Sequence, residues 1–463
     1  MHRPGFVGTR RFQIFAFGLA VALAVSCKPG PAPAQDSPLW MRDTFSGDWD
    51  GARERLSKKG IDLGLTYRGE VFGNLAGGVE RGATYEDLIH FRADANLEKI
   101  LGWRGAIAHV SADQIDDGGR NIEDLVEALS DPSNIDALPT TRLYTLWVQQ
   151  RLGGAGSVRV GQIAADDEFL ISTTASGLIN NTFAWANFVD INLRSGGPAY
   201  PLPTPGARLK LEPTDKLTAL AAVFSGNPAG SCGEDQDPQV CNRYGTTFSF
   251  TGGALFMGEV QYRPHPDEGN GTVQSAYKLG GFYHTGDFTD QARGNGNDGQ
   301  IVSLAVDPSD PLELQGNWGV YAVVDQAVWR SGRSAAAIFW RGGVVPADRN
   351  LVSWYVDGGF ALAGPFRARP NDRLSFGVAY SNISNEAVTV DQIRRRIDDP
   401  TYPIRDGETA FELSYIAELA PWWTLQPDLQ YIVHPGGDVP DPDDPERTVG
   451  NSVLIGLRTT VTF

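Results

Sequence analysis

The sequence predicts an all-β chain closed into a transmembrane antiparallel β-barrel of about sixteen strands. Three observations carry this expectation. Apolar residues recur at every second position over many separate segments. After residue 34 no apolar run approaches the roughly 18 residues that a membrane helix needs. The connections fall into a short set and a long polar set, which suits tight turns at one barrel end and large loops at the other.

The alternation is plainest near the two ends of the barrel segment. Ile61, Leu63, Leu65, Tyr67 and Val71 share one parity, and Asp62, Thr66, Arg68 and Glu70 take the other. Ile89, Phe91, Ala93, Ala95 and Leu97 alternate with His90, Arg92, Asp94, Asn96 and Glu98. Val453, Ile455, Leu457, Val461 and Phe463 alternate with Gly456, Arg458, Thr460 and Thr462. Each segment has one apolar and one polar face. A soluble sandwich would also alternate, but at this length it should carry strongly apolar central strands, which are rare here.

The candidate strands are 61–72, 87–99, 103–114, 142–151, 157–164, 206–212, 216–225, 254–263, 274–285, 316–329, 334–343, 350–362, 371–381, 407–419, 422–433 and 451–463. Short connections include Gly153-Gly154-Ala155-Gly156, Pro213-Thr214-Asp215 and Ser331-Gly332-Arg333. The long ones are 115–141, 165–205, 226–253, 286–315 and 382–406, with a candidate loop helix over 120–130. Loops of this length are uncommon in compact domains unless they carry function.

Ahead of the barrel, Arg3, Arg10 and Arg11 precede an apolar stretch from Phe12 to Val25, the pattern of an export signal. Cleavage is expected near Ala34 after Ala32-Pro33-Ala34, with lipidation at Cys27 as the competing reading. The expected organisation is a signal over 1–34, a helical segment over 35–60 and the barrel over 61–463. Asp48 at a helix N-cap and Gly60 at its end bracket a short amphipathic helix within 35–60. The terminal run Thr459-Thr460-Val461-Thr462-Phe463 has the form of an outer-membrane insertion signal, so the barrel-assembly machinery is an expected partner through Phe463.

Composition excludes several functions. A net charge of −17 argues against nucleic acid, which requires a basic face. No Gly-x-Ser-x-Gly elbow or His-Glu-x-x-His motif occurs, and no enzyme activity is expected. Gly294, Gly296 and Gly299 match a dinucleotide fingerprint in spacing, but they sit in a loop without the helix that must follow. Asp438, Asp441, Asp443, Asp444 and Glu446 form an acidic cluster that reads as a solvated loop rather than a calcium site. Cys232 and Cys241 most simply form a disulfide in an oxidising compartment, a two-cysteine metal site being the rival. No cofactor or metal is expected.

Several blocks together resemble the carbohydrate-selective (OprB-type) porins. They include Gly47-Asp48-Trp49-Asp50-Gly51, Tyr67-Arg68-Gly69-Glu70-Val71-Phe72-Gly73-Asn74 and Leu97-Glu98-Lys99-Ile100-Leu101-Gly102-Trp103. Arg142-Leu143-Tyr144-Thr145-Leu146-Trp147-Val148-Gln149-Gln150, Gly196-Gly197-Pro198-Ala199-Tyr200-Pro201 and Asn242-Arg243-Tyr244-Gly245-Thr246 add to them. The likeness spans about residues 45–463. It implies a sixteen-stranded barrel, a periplasmic N-terminal helix and a passive outer-membrane channel for mono- and small oligosaccharides. Thr145, where an acidic residue is common, and the Cys232–Cys241 loop depart from the family and bear on fine selectivity. A general diffusion porin and an exported all-β sugar-binding protein are the alternative readings.

Parity selects the candidate lumen residues: Arg68, Glu70, Arg92, Asp94, His109, Asp113, Gln149, Arg208, Gln426 and Asp428. Charged and amide groups in a lumen can hydrogen-bond sugar hydroxyls or simply keep the channel wet. Arg68, Glu70, Arg92 and Asp94 are expected to be neighbours on one wall. Trp147 shares the parity of Gln149 and is a candidate surface for stacking on a pyranose ring. Trp185, in loop 165–205, either stacks likewise or is a packing or interface residue. Small sugars and outer-membrane lipid are the expected partners, with the assembly a monomer or a trimer.

Overall fold

The computed structural model describes residues 38–233, 236–266, 273–296, 300–397, 399–442, 444–445 and 447–463. The expected signal over 1–34, the cleavage and lipidation sites, Gly299, Asp443 and Glu446 lie outside them. Sixteen strands form one closed antiparallel sheet: β1 (Ile61–Gly78), β2 (Gly82–Asn96), β3 (Ala106–Asp116), β4 (Thr140–Arg151), β5 (Gly156–Ile163), β6 (Thr204–Thr214), β7 (Leu217–Ser225), β8 (Ala254–Tyr262), β9 (Ala276–Asn295), β11 (Pro311–Ser331), β12 (Ser334–Val344), β13 (Val352–Ala363), β14 (Arg373–Ile383), β15 (Glu408–Ala420), β16 (Trp423–Val433) and β17 (Gly450–Thr462). The three-residue β10 (Ile301–Ser303) pairs on β9 beyond the barrel wall. β1 pairs with both β2 and β17, so the sheet has no free edge.

Closure is what permits this chain to cross lipid, because every strand's backbone finds a partner on both sides. The expected parity holds around the wall. Val71, Leu279, Ile338, Leu413, Leu429 and Ile455 are exposed on the outer face. Aromatic residues gather near the strand ends: Tyr283, Trp318, Trp354 and Tyr431 towards the long loops, Tyr262, Tyr277 and Trp329 towards the short turns. This is the girdle of a barrel at its two water interfaces.

Strand ends differ most from the expectation where a hydrogen-bonded ribbon leaves the apolar layer. β9 and β11 run to 20 and 21 residues and pair deep into segment 286–315. Such a ribbon needs no apolar face, so alternation does not mark it. Segment 382–406 holds a helix over Asn385–Ile397. The candidate loop helix over 120–130 is a four-residue turn, Glu123–Val126.

The N-terminal segment folds under the short-turn end. Helix α1 spans Ala52–Lys58. The N-cap is Gly51 and not the expected Asp48, but Asp48 Oδ1 still accepts the Glu54 N–H at 3.0 Å, satisfying one of the free donors of the first turn. Gly60 closes the helix with φ +92°, a conformation glycine adopts without strain. Trp40 stacks on Trp422 at 5.9 Å, and Phe45 meets Phe463 edge-on at 5.5 Å. These rings hold the segment to the ends of β16 and β17.

Leu429 lies near the middle of β16 on the lipid face. Leu429→Arg should destabilise the barrel by roughly 2–4 kcal/mol, the cost of a guanidinium near the bilayer midplane. Urea unfolding in phospholipid vesicles reads this. No change would mean that Leu429 does not contact lipid.

Candidate functional site: the lumen passage

The barrel interior is largely filled by its own loops. The connection 164–203, between β5 and β6, turns inward. Its Phe169, Leu170, Trp185, Phe188 and Val189 pack on inward-facing Phe224, Met257, Phe282, Tyr321, Val323, Phe339 and Tyr355. Glycine on the wall makes room for the aromatic rings: a Cβ at Gly343 would lie 2.3 Å from the Phe188 ring. The connection 117–139 does the same against the opposite wall, where Ile122, Leu125 and Val126 meet Phe72, Ala410, Ile432 and Leu454.

Irregular backbone buried this way needs hydrogen-bond partners, and the wall supplies them with charged side chains. Glu412 accepts the N–H groups of Ile179 and Asn180, and Glu408 those of Leu129, Ser130 and Gly436. Asp325 takes Thr174 N–H and Ser172 Oγ–H, and Glu259 takes Leu170 N–H. Arg341 donates to the carbonyls of Leu170 and Thr182 while paired with Asp357. Arg373 donates to the carbonyls of Thr173 and Thr174. Gln426 donates to Gly177 O, and Asp428 is buried and accepts from Gln430, which itself donates to Pro132 O, so neither lines an open lumen.

Most of the candidate residues lie on the wall of β1–β5, whose short-turn half stays clear of this apolar filling, whereas Phe72, Leu88 and Ile115 at its long-loop end pack on loop 117–139. The register of the wall places the candidates at two levels. Arg92 faces Gly64 and Asp94 faces Asp62, whereas Arg68 faces Leu88 and Glu70 faces Glu86. Arg68 and Arg92 are therefore about 13 Å apart along the strand, at roughly 3.3 Å per residue. The four expected neighbours do not form one cluster. At the short-turn level Arg92 Nη1 contacts Asp94 Oδ2 at 3.0 Å, and Asp94 Oδ1 lies 2.7 Å from His109 Nδ1. Arg92 is the open member, with 56% of its side chain exposed. A cavity of about 510 Å³ there is bounded by Trp49, Arg53, Asp62, Arg92, Asp94 and Trp147.

Trp147 sits between its neighbours on the sheet. His109 on β3 stacks on it at 4.5 Å with 8° between planes, and the Arg159 guanidinium from β5 lies 4.0 Å from its ring centre. Since β3 and β5 flank β4, the two partners cover opposite faces of the indole. This corrects the stacking expectation: the ring faces are occupied, and a solute meets only the edge. Arg159 and Arg208 both donate to Gln149 Oε1, at 3.2 and 2.9 Å, and Arg208 pairs with Glu168 of the inward loop at 2.6 Å.

At the long-loop level Arg68 lies among Glu70, Asp113, Tyr200 and Arg458. Glu70 is buried: it pairs with Arg458 at 2.7 Å across the β1–β17 seam and accepts from Ser133 Oγ. Asp113 is buried against His90 Nδ1 at 2.6 Å. Trp185 is 2% exposed and donates to Gly196 O inside the core of loop 164–203, so its expected place on the passage is corrected to the packing alternative.

Other residues enter the site that alternation misses. The ladder slips between Val110 and Ala112, leaving a bulge around Tyr144 and Thr145. It turns both Arg142 and Tyr144 inward although they lie out of phase with Trp147. Tyr144 then meets His90 and Tyr200 edge-on, at 6.2 and 5.9 Å. Tyr200 ties the two inward loops together through Ile135 O at 2.8 Å. Beside it, burial and the neighbouring Asp167 push the Asp166 carboxyl up to about 7. Arg142 Nη2 donates to Asn242 O at 2.7 Å. Asn242 follows the Cys232–Cys241 disulfide in loop 226–253, which docks on β4 through Leu143 N to Tyr244 O.

A closed sixteen-stranded barrel with an apolar outer band and a lumen narrowed by inward loops is an outer-membrane channel. Residues 80–463 match the carbohydrate-selective porin, OprB family. The chain belongs to that family: it is an outer-membrane carbohydrate-selective porin, a channel. It is 26% identical to Porin B of Pseudomonas aeruginosa over 477 aligned positions, covering 97% of this chain and 96% of the relative. The high-pH structure of Pseudomonas putida OprB superposes with a TM-score of 0.78 at 26% identity, covering 91% of this chain and 99% of that one.

Arg341 is the test of what holds the large loop inward. Arg341→Ala leaves Asp357 buried and unpaired, at a cost of roughly 3–5 kcal/mol. The expected outcome is a lower urea midpoint and a larger single-channel conductance as loop 164–203 loosens. An unchanged conductance would mean that the apolar packing alone keeps the loop in place.

Proposed function

We propose that neutral mono- and small oligosaccharides cross along the β1–β5 wall, and that Arg92 and Asp94 are the groups they hydrogen-bond at the short-turn end. The observation that carries this is the exposure of Arg92 beside Asp94 in a cavity at the short-turn end of this wall. Opposite signs side by side leave little net field, which suits a neutral solute better than an ion. Arg68 is the corresponding group at the long-loop level. Glu70, Asp113 and Gln149 act through their partners, holding Arg458, His90 and the Arg159–Arg208 pair in place. Trp147 is a rigid edge that narrows the path. The long loops face the cell exterior, and α1 faces the periplasm.

Each hydroxyl that exchanges water for such a group gains about 0.5–1.5 kcal/mol, or up to about 3 when the partner is charged. Binding in the millimolar range, about −4 kcal/mol, follows. That weakness lets the solute leave. In planar bilayers, glucose and maltose should reduce the ion current of the parent channel. Arg92→Ala should raise ion conductance, shift selectivity towards cations and weaken the sugar block about tenfold, the equivalent of one charged hydrogen bond of about 1.4 kcal/mol. Sugar block that is unchanged in both Arg92→Ala and Asp94→Ala would place the binding groups elsewhere on the wall.

A further inference from the structure

Loop 117–139 brings together carboxylates that the passage does not use. Glu123, Asp131 and Asp136 each place an oxygen within 4.8 Å of the others. Glu86 joins them from the inner face of β2. It is 2% exposed; its Oε1 accepts Ile122 N–H at 2.8 Å, while its Oε2 is buried without a hydrogen-bond partner. Glu86 is also the charged group that acts most strongly on Asp136. Asp136 Oδ1 accepts from Asn121 at 3.1 Å, and its Oδ2 is likewise buried and without a partner. Among the described residues, the ion pairs of Lys and Arg all go to other carboxylates.

Two carboxylate oxygens withdrawn from water with nothing to bind are costly, and the cost rises when their neighbours carry the same charge. Asp136 and Asp131 have such neighbours, with Glu123 and Glu86 beside them. No hydrogen bond joins these four carboxylates to one another among the described residues, and the two oxygens remain open. A cation relieves the cost directly. One side of the group opens on a cavity of about 290 Å³ lined also by Asp190 and Asp237, a negatively charged way in.

We infer that Glu86, Glu123, Asp131 and Asp136 form a calcium-binding site that ties loop 117–139 to the barrel wall. The donors are all oxygens, as a hard cation requires. Calcium takes oxygens at about 2.3–2.6 Å in irregular arrangements, so ligands on opposite sides of the ion stand about 4.6–5.2 Å apart, which suits Glu123, Asp131 and Asp136. Magnesium keeps most of its water and uses only one or two carboxylates. The ion would join three positions of the loop to β2, beside the turn Glu123–Val126 that packs on Phe72.

The test uses the full-length barrel in detergent, stripped with EDTA, dialysed and titrated calorimetrically with calcium chloride. One calcium ion per chain is expected. Glu123→Gln and Asp136→Asn should each weaken binding by at least about tenfold, the smallest effect usual for groups that support a metal. Asp307→Asn, in an exposed loop, should leave binding unchanged. If Asp136→Asn does not fold, Glu123→Gln decides, because that side chain is exposed and the fold does not depend on it. Calcium should also slow protease cleavage within loop 117–139 in the parent and not in Glu123→Gln. No uptake by the stripped parent well above about 10⁻³ M, the range of the weakest calcium modules, overturns the inference. So does equal affinity in the parent, Glu123→Gln and Asp136→Asn.

Discussion

Backbone that leaves the sheet and re-enters the barrel must have its N–H and C=O groups satisfied by something other than water. In this channel the barrel wall does it. Glu408, Glu412, Asp325, Glu259, Arg341 and Arg373 point inward, and each binds loop main chain. A charged residue on an inner face is usually read as a contact for water or solute. Here most of the charge on β11–β15 is consumed in holding the two inward loops. The arrangement also explains why a wall so rich in charge can be dry: each group faces a fixed peptide dipole, and Arg341 faces Asp357 as well.

This use of charge divides the lumen. The loops bury an apolar patch running from Phe224 to Tyr355, while the β1–β5 wall, open at its short-turn end, carries the proposed path. On that side the polar groups fall into two layers, one around Arg68 and one around Arg92, with Trp147 clamped between His109 and Arg159. A rigid indole edge and paired charges narrow the path without a strong net field. Selectivity for neutral solutes over ions follows from geometry of this kind more than from any single residue.

The four carboxylates around Glu123 obey the same constraint from the other direction. Elsewhere most inward carboxylates have backbone N–H groups or a guanidinium to face, as Glu408, Glu412, Glu259 and Asp357 do. Glu86 and Asp136 each keep one oxygen without either. Among the described residues Asp166, Asp325 and Asp428 also keep one unpartnered oxygen, but only Glu86 and Asp136 do so beside further carboxylates of one group, where a counter-charge would serve both.

Sequence alone determined the strands, about sixteen of them, and, away from the bulge in β4, which side of the wall their residues occupy. A period of two in lipid leaves one solution, since apolar side chains must face the bilayer and the backbone must pair until the sheet closes. It placed Arg68, Glu70, Arg92, Asp94, Asp113 and Gln149 on the inner face, and the blocks around Trp49, Tyr67, Trp147 and Tyr200 pointed to the family. Tertiary structure decided what each inward residue meets. Glu412 binds Ile179 and Asn180, more than 230 positions away, and Glu70 binds Arg458, more than 380 away. Alternation carries no information about such partners. Nor does it register the bulge that turns Tyr144 inward, or the folding of loop 164–203 that withdraws Trp185 into a core. Parity is a local property of one strand, whereas access to the passage depends on which distant loop comes to rest against it.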